Sequence, residues 1–162
     1  QLAAQNLIEC GCTNIAFIGK NSSINSEVDK REIGFYDKAI EMGISPIIYD
    51  FNDFEDEYTI CREFFLKYPN LDGIFAKTDH LAATYIKVLT ENGVRVPQDV
   101  KVIGYDGIQN NNLFHPILTT IRQPVEEIGR EAVTLLLKKI NNIEIDDYIV
   151  RIPVHLKKGE TL

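Results

Sequence analysis

Four short apolar segments, at residues 14–19, 46–51, 72–77 and 100–106, alternate with stretches of helical apolar period, and each stops at a polar loop or a turn. Strands separated by helices pair side by side in parallel, so this alternation calls for an α/β fold: a doubly wound parallel sheet with helices on both faces. At 162 residues, one compact domain with a real core is the default.

In chain order, Leu2, Ala3, Leu7 and Ile8 share one side of a helix that ends at Gly11, and residue 14 already begins the first strand. A polar loop follows, then a helix from about residue 27 to residue 42, which places Arg31 and Phe35 on one face as an i,i+4 pair. Spacing alone makes Arg31 a solvated partner of Glu27 or Asp29. Its location, a loop-to-helix junction above a strand end, also suits a bidentate donor for hydroxyls or a carboxylate.

The second strand leads into an acidic, aromatic loop, Asn52-Asp53-Phe54-Glu55-Asp56. Phe64 and Phe65 of the next helix read as core, whereas Phe51 and Phe54 lie near the strand end, where a ring could stack on a sugar. Thr78-Asp79 opens the following helix, with at least one of the two as its N-cap. Leu81, Ala82, Tyr85, Val88 and Leu89 give that helix an apolar surface wide enough for a subunit contact as well as the sheet.

The fourth strand ends in Gly104-Tyr105-Asp106-Gly107. Ligands of open α/β sheets bind outside the carboxyl ends of the strands, where Asp106 stands, although an Asp in that position is also a common turn former. A β-branched segment at 118–122 precedes a helix over 124–140, with Glu126 and Glu127 early and Lys138 and Lys139 late, as the macrodipole prefers. Its expected buried stripe is Ile128, Ala132, Leu135 and Leu136. A last strand over 148–156 carries Pro153 and is expected at a sheet edge.

Composition narrows the functions. Formal net charge is −7, and no block of Lys and Arg interrupts it, so the chain is badly suited to hold a phosphate backbone by itself. Three cysteines, Cys10, Cys12 and Cys61, are too few for a disulfide framework and point to a reducing compartment, the cytoplasm. Cys10-x-Cys12 lacks a second Cys/His pair at matching spacing, so no metal is expected. No apolar run approaches the ~20 residues of a membrane span. The chain opens with Gln1 inside a helix and reads as a fragment whose start has been removed.

Catalytic signatures are missing as well. There is no G-x-G-x-x-G, no P-loop and no G-x-S-x-G elbow, and His80, His115 and His155 are scattered. Asp79 and Asp106 could form the acidic pair of a receiver-like phosphotransfer domain, but a capping Asp beside a ligand Asp explains them as well. Binding without catalysis or cofactor is the expectation.

Residues 102–107, Val-Ile-Gly-Tyr-Asp-Gly, followed by His115-Pro116-Ile-Leu-Thr-Thr-Ile-Arg-Gln-Pro124 and Ile128-Gly129-x-x-Ala132-x-x-Leu135-Leu136, resemble the effector-binding region of LacI/GalR transcription repressors. Asn14-Ile-Ala-Phe-Ile-Gly19, Arg31-x-x-Gly34-Phe35 and Gly93-Val-Arg-Val-Pro-Gln-Asp-Val100 fit the same pattern in the same order, so the likeness covers nearly the whole chain. Tyr-Asp-Gly looks closest to sucrose operon repressors, with ribose-type repressors next.

The resemblance implies a periplasmic-binding-protein-like (type I) effector-binding domain, mainly its second subdomain. Residues 1–121 would form that subdomain, 122–145 a helix belonging to the first, and 146–162 a returning strand of the second; the helix-turn-helix headpiece is absent. It implies effector contacts by Arg31 and Asp106, with Thr78 standing where many members carry Asn and Phe54 near a stacking position. It further implies a homodimer contact through Leu81, Ala82, Tyr85 and Phe114. Partners would be a sugar or sugar-phosphate effector and, through the headpiece, operator DNA; no membrane is involved. The chief rival is a periplasmic sugar-binding protein of an uptake system.

Overall fold

A computed structural model describes residues 1–20, 30–51, 56–108, 115–145 and 149–162. Its elements are α1 (Leu2–Glu9), β1 (Ile15–Lys20), α2 (Lys30–Glu41), β2 (Ile47–Phe51), α3 (Glu57–Lys67), β3 (Gly73–Ala76), α4 (Asp79–Glu91), β4 (Lys101–Asp106), β5 (Thr119–Arg122), α5 (Val125–Ile140) and β6 (His155–Lys157). The strands form one sheet in the order β2-β1-β3-β4-β5-β6. All pairings are parallel except β5 with β6, which is antiparallel.

The expected doubly wound sheet is therefore present. On one face, α1 and α2 bury Ala3, Ala4, Leu7, Phe35 and Ala39 against Phe17, Phe75, Ile103 and Ile121. On the other, α3 and α4 bury Ile60, Phe64, Leu81, Tyr85 and Leu89 against Ala16, Ile18, Ile74 and Val102. Covered on both sides, β3 is buried at all four positions, which is why its sequence is continuously apolar instead of alternating. Phe17, Phe35 and Phe75 stack as tilted rings with centroids 5.5 to 6.3 Å apart.

At the amino edge of the sheet, one Asp72 carboxylate oxygen accepts from Thr13 N–H and Oγ1–H and the other from Asn14 N–H, locking the entries of β1 and β3 together. The C-terminal tail closes the same edge beside β4 and β5. There the fully buried Thr161 hydroxyl donates to the Val102 carbonyl and accepts from Thr119 N–H. Cys12 and Cys61 are buried thiols and Cys10 is exposed. Burial pushes the Cys12 thiol up to about 11 and that of Cys61 up to about 12.

Two expectations are corrected here. The last strand is shorter and later than 148–156: only His155–Lys157 pairs, at the sheet edge, and 149–154 is irregular. Pro153 has no N–H to donate to a ladder, and Tyr148 lies outside the described residues. The second concerns α5, which buries no residue; Ile128 and Leu136 are 42% and 56% exposed, and Ala132 is exposed too. Its apolar stripe exists but has no sheet beneath it. Ile128, Ala132 and Leu135 instead line an open groove of ≈ 350 Å³ shared with Val150 and Ile152.

Candidate functional site

In the order β2-β1-β3, the chain leaves β1 toward β2 and then crosses back to place β3 on β1's other side. The carboxyl ends of β1 and β3 thus flank a topological switch point, where an open parallel sheet leaves a crevice. Arg31, in the first turn of α2, spans it: its Nη1 donates to the Lys77 carbonyl just beyond β3 at 3.1 Å. Its guanidinium carbon lies 4.8 Å from the centroid of the Tyr105 ring on β4. Phe35, one turn on, is fully buried, so the i,i+4 pair divides into an anchor and a half-buried cation at the edge. Arg31, Gly34, Phe75, Tyr105 and Ile121 line a cleft of ≈ 410 Å³.

Asp106 closes β4 with φ of +118°, a backbone conformation that L residues seldom adopt. Two bonds from Gln123 hold it there. The Gln123 N–H donates to its carbonyl at 3.1 Å, and the Gln123 side-chain amide donates to its Oδ1 at 2.9 Å. Among the described residues nothing engages Oδ2, which leaves a half-buried acceptor for a hydroxyl.

Asp79 has a different place from the one its sequence context suggests. Thr78, not Asp79, is the N-cap of α4, accepting from Leu81 N–H at 3.1 Å. Asp79 is 1% exposed; its Oδ2 accepts from Gly107 N–H at 2.9 Å and Ile108 N–H at 2.8 Å, and its Oδ1 from the Thr120 hydroxyl. Burial pushes the Asp79 carboxyl above the usual carboxylate value, the hydrogen bonds pull it back, and the charge of Asp106 adds to the rise. Enclosed and with both oxygens engaged, Asp79 is poorly placed to accept a phosphoryl group.

Both glycines of the Gly104-Tyr105-Asp106-Gly107 run now have physical reasons. A Cβ on Gly104 would collide with Asp79 Oδ1 and lie 2.8 Å from Leu118 Cδ2, so the strand glycine makes room for the buried carboxylate. Gly107 has φ of +79°, and a Cβ there would lie 2.8 Å from Arg122 Cα. Sequence reasoning missed Asp79 and Gln123 as the supports of Asp106. The signals available were a glycine inside a strand, which marks a close approach, and Gln123 within the resembling run.

The proposed interface residues fare differently. Leu81, Ala82 and Tyr85 are 2%, 0% and 1% exposed, because the core on the α3 and α4 face takes them up, so they offer no surface to a second chain. The outer side of α4 instead presents Ala83, Lys87, Thr90 and Glu91, which with His115, Pro116 and an edge of the buried Ile86 line a groove of ≈ 380 Å³. Phe54 and Phe114 lie outside the described residues. Phe51 is 6% exposed and belongs to the core. His80 Nδ1 lies 2.7 Å from Glu57 Oε2 on the surface. Among the described residues, no group of three His, Cys, Asp or Glu could hold a metal ion, and no helix is long and apolar enough to cross a membrane.

The periplasmic binding protein-like domain matches residues 4–162. The ribose operon repressor of Halalkalibacterium halodurans is 34% identical over 162 residues, covering 99% of this chain and 49% of that protein. The sucrose operon repressor of Streptococcus mutans is 32% identical over 163 residues, covering 100% of this chain and 50% of that one. The chain thus spans about half the length of these curated relatives. Among solved structures, a LacI family transcriptional regulator from Arthrobacter sp. FB24 in complex with lactose superposes with a TM-score of 0.86 at 28% identity, covering 99% of this chain and 62% of that one. The chain belongs to the periplasmic binding protein-like domain family, with the fold of the effector-binding domains of LacI-family regulators.

Proposed function

We propose that this chain is the larger part of the effector-binding region of a sugar-responsive transcription repressor, acting in the cytoplasm without catalysis. The observation that carries the reading is that a forked cation, Arg31, lies over the Tyr105 ring at the carboxyl edge of the sheet, where the next residue of β4, Asp106, ends the strand with a carboxylate. A donor fork and an acceptor at the same edge of the sheet suit a polyhydroxylated ligand. The operon repressors among the relatives favour a regulator over an uptake protein.

In this reading residues 1–121 and 146–162 form the second subdomain, and α5, within 122–145, belongs to the first. The absence of any buried residue on α5 supports that division, since a helix with an apolar stripe needs a surface to cover it. A sugar or sugar phosphate bridges the two subdomains, with Arg31 and Asp106 as its contacts on this side and Thr78 and Phe54 at the margin. The effector favours one hinge angle and, through a homodimer, changes how a helix-turn-helix headpiece elsewhere in the gene product sits on its operator. Its power is limited to its differential affinity for the two states. The second copy docks on the outer groove of α4 with His115 and Pro116.

The test is to titrate the full gene product with sucrose, D-ribose and their phosphates while following its binding to promoter DNA of its own operon. Sucrose is the favoured effector from the Tyr105-Asp106-Gly107 motif. Absence of response to every one of these sugars would overturn the sugar-responsive reading.

A further inference from the structure

We propose that Asp79 is a positioning residue for ligand recognition: its buried carboxylate holds the turn that presents Asp106, so affinity depends on a group the ligand does not touch. This rests on the sugar-binding reading of the Asp106 edge. Asp79 Oδ2 takes the N–H groups of the two residues that follow Asp106, and its Oδ1 takes the Thr120 hydroxyl of β5. The amino end of α4, the turn after β4 and strand β5 therefore meet on one carboxylate.

Asp106 has positive φ and Gly107 follows with φ of +79°, a backbone course that side-chain packing alone does not enforce. Gln123 fixes Asp106 from the β5 side. Asp79 fixes the turn from the α4 side, and Gly104 is kept bare to admit it. A buried carboxylate carries a desolvation penalty, and its retention here is accounted for by three donors converging on it.

The experiment uses the full gene product with Asp79→Ala, Asp79→Asn and Thr120→Val, and reads two quantities. One is amide hydrogen exchange at Gly107 and Ile108 relative to Phe75 in the core. The other is affinity for sucrose and D-ribose. Losing a charge-assisted acceptor should speed exchange at the two amides and weaken sugar binding, each by about 10- to 100-fold in Asp79→Ala. Asp79→Asn, which keeps one carbonyl oxygen toward those amides, should fall between it and the parent.

Thr161→Val supplies the control for a merely structural role. It disturbs the opposite edge of the sheet and should leave sugar affinity unchanged despite lower stability. Asp106→Asn should weaken sugar binding without altering exchange at Gly107 and Ile108. Should Asp79→Ala fail to fold, Asp79→Asn decides the question by the same two readouts, with Thr120→Val, which frees only Oδ1, giving the smaller effect. Unchanged exchange at Gly107 and Ile108 in folded Asp79 variants overturns the proposal, as does loosened exchange with unaltered sugar affinity. If the parent binds none of sucrose, D-ribose and their phosphates, the sugar reading falls, and exchange at Gly107 and Ile108 decides only whether Asp79 holds the turn.

Discussion

The guanidinium of Arg31 sits 4.8 Å from the centre of the Tyr105 ring while one of its nitrogens donates to the Lys77 carbonyl, so a single side chain on α2 touches both β4 and the end of β3. It thereby bridges the switch point of the sheet. Lysine would keep the charge but lose both the planar stack and the fork. Arg31→Lys should reduce sugar affinity by about 10-fold or more, the cost of one charge-assisted hydrogen bond, with little change in the denaturation midpoint. Calorimetric titration beside a urea melt of the same preparation checks both halves of the expectation.

Tyr85 separates a fold role from an interface role. Its ring is 1% exposed and lies 5.5 Å, centroid to centroid, from Phe64. Tyr85→Ala should destabilise the fold by about 3–5 kcal/mol through lost burial and the cavity left behind. Urea denaturation gives that number, and sedimentation at several concentrations shows whether oligomeric state changes in molecules that remain folded. A shift in oligomeric state without loss of stability would return Tyr85 to the surface.

Thr161 anchors the tail by giving its proton to the Val102 carbonyl and accepting the Thr119 N–H. Thr161→Val keeps the shape but leaves both backbone groups buried without that partner, and should cost about 1–3 kcal/mol. Thr161→Ser, which retains the hydroxyl, should recover most of it. Equilibrium denaturation of the two variants side by side is the measurement.

Arg95 and Asp99 close the turn ahead of β4: Arg95 N–H and Nε–H both donate to Asp99 Oδ2. The Arg95 side chain first, and its backbone N–H next, hold the Asp99 carboxyl at about 2. A carboxyl lowered on folding contributes stability that is present above its unfolded value of about 3.9 and is lost as pH falls toward 2. Carboxyl NMR should find Asp99 titrating near that low value. Asp99→Asn should flatten the acid limb of the stability profile.

How much was legible before folding is clear from particular residues. Asp106 could be placed at a strand end because apolar runs and their polar stops are local, and Arg31 could be placed at the start of a helix above another strand for the same reason. What each would touch was not legible. The apolar stripe of α4 says that Leu81, Ala82 and Tyr85 need cover without saying whether the chain's own core or a second copy supplies it; the core does. The stripe of α5 poses the same question, and among the described residues none of it becomes buried.

The residue sequence by itself determined the alternation of strands and helices, where the parallel strands stop, and therefore which edge carries the polar groups, since periodicity and termination act over a few neighbouring residues. Only the tertiary structure decided that β3 returns to the far side of β1, which lets Arg31 reach across to Lys77. It alone decided that Asp79 serves a turn 28 residues away and a threonine 41 residues away. The reason is physical: a buried carboxylate is specified by the donors that converge on it in space, and no local pattern along the chain records that convergence.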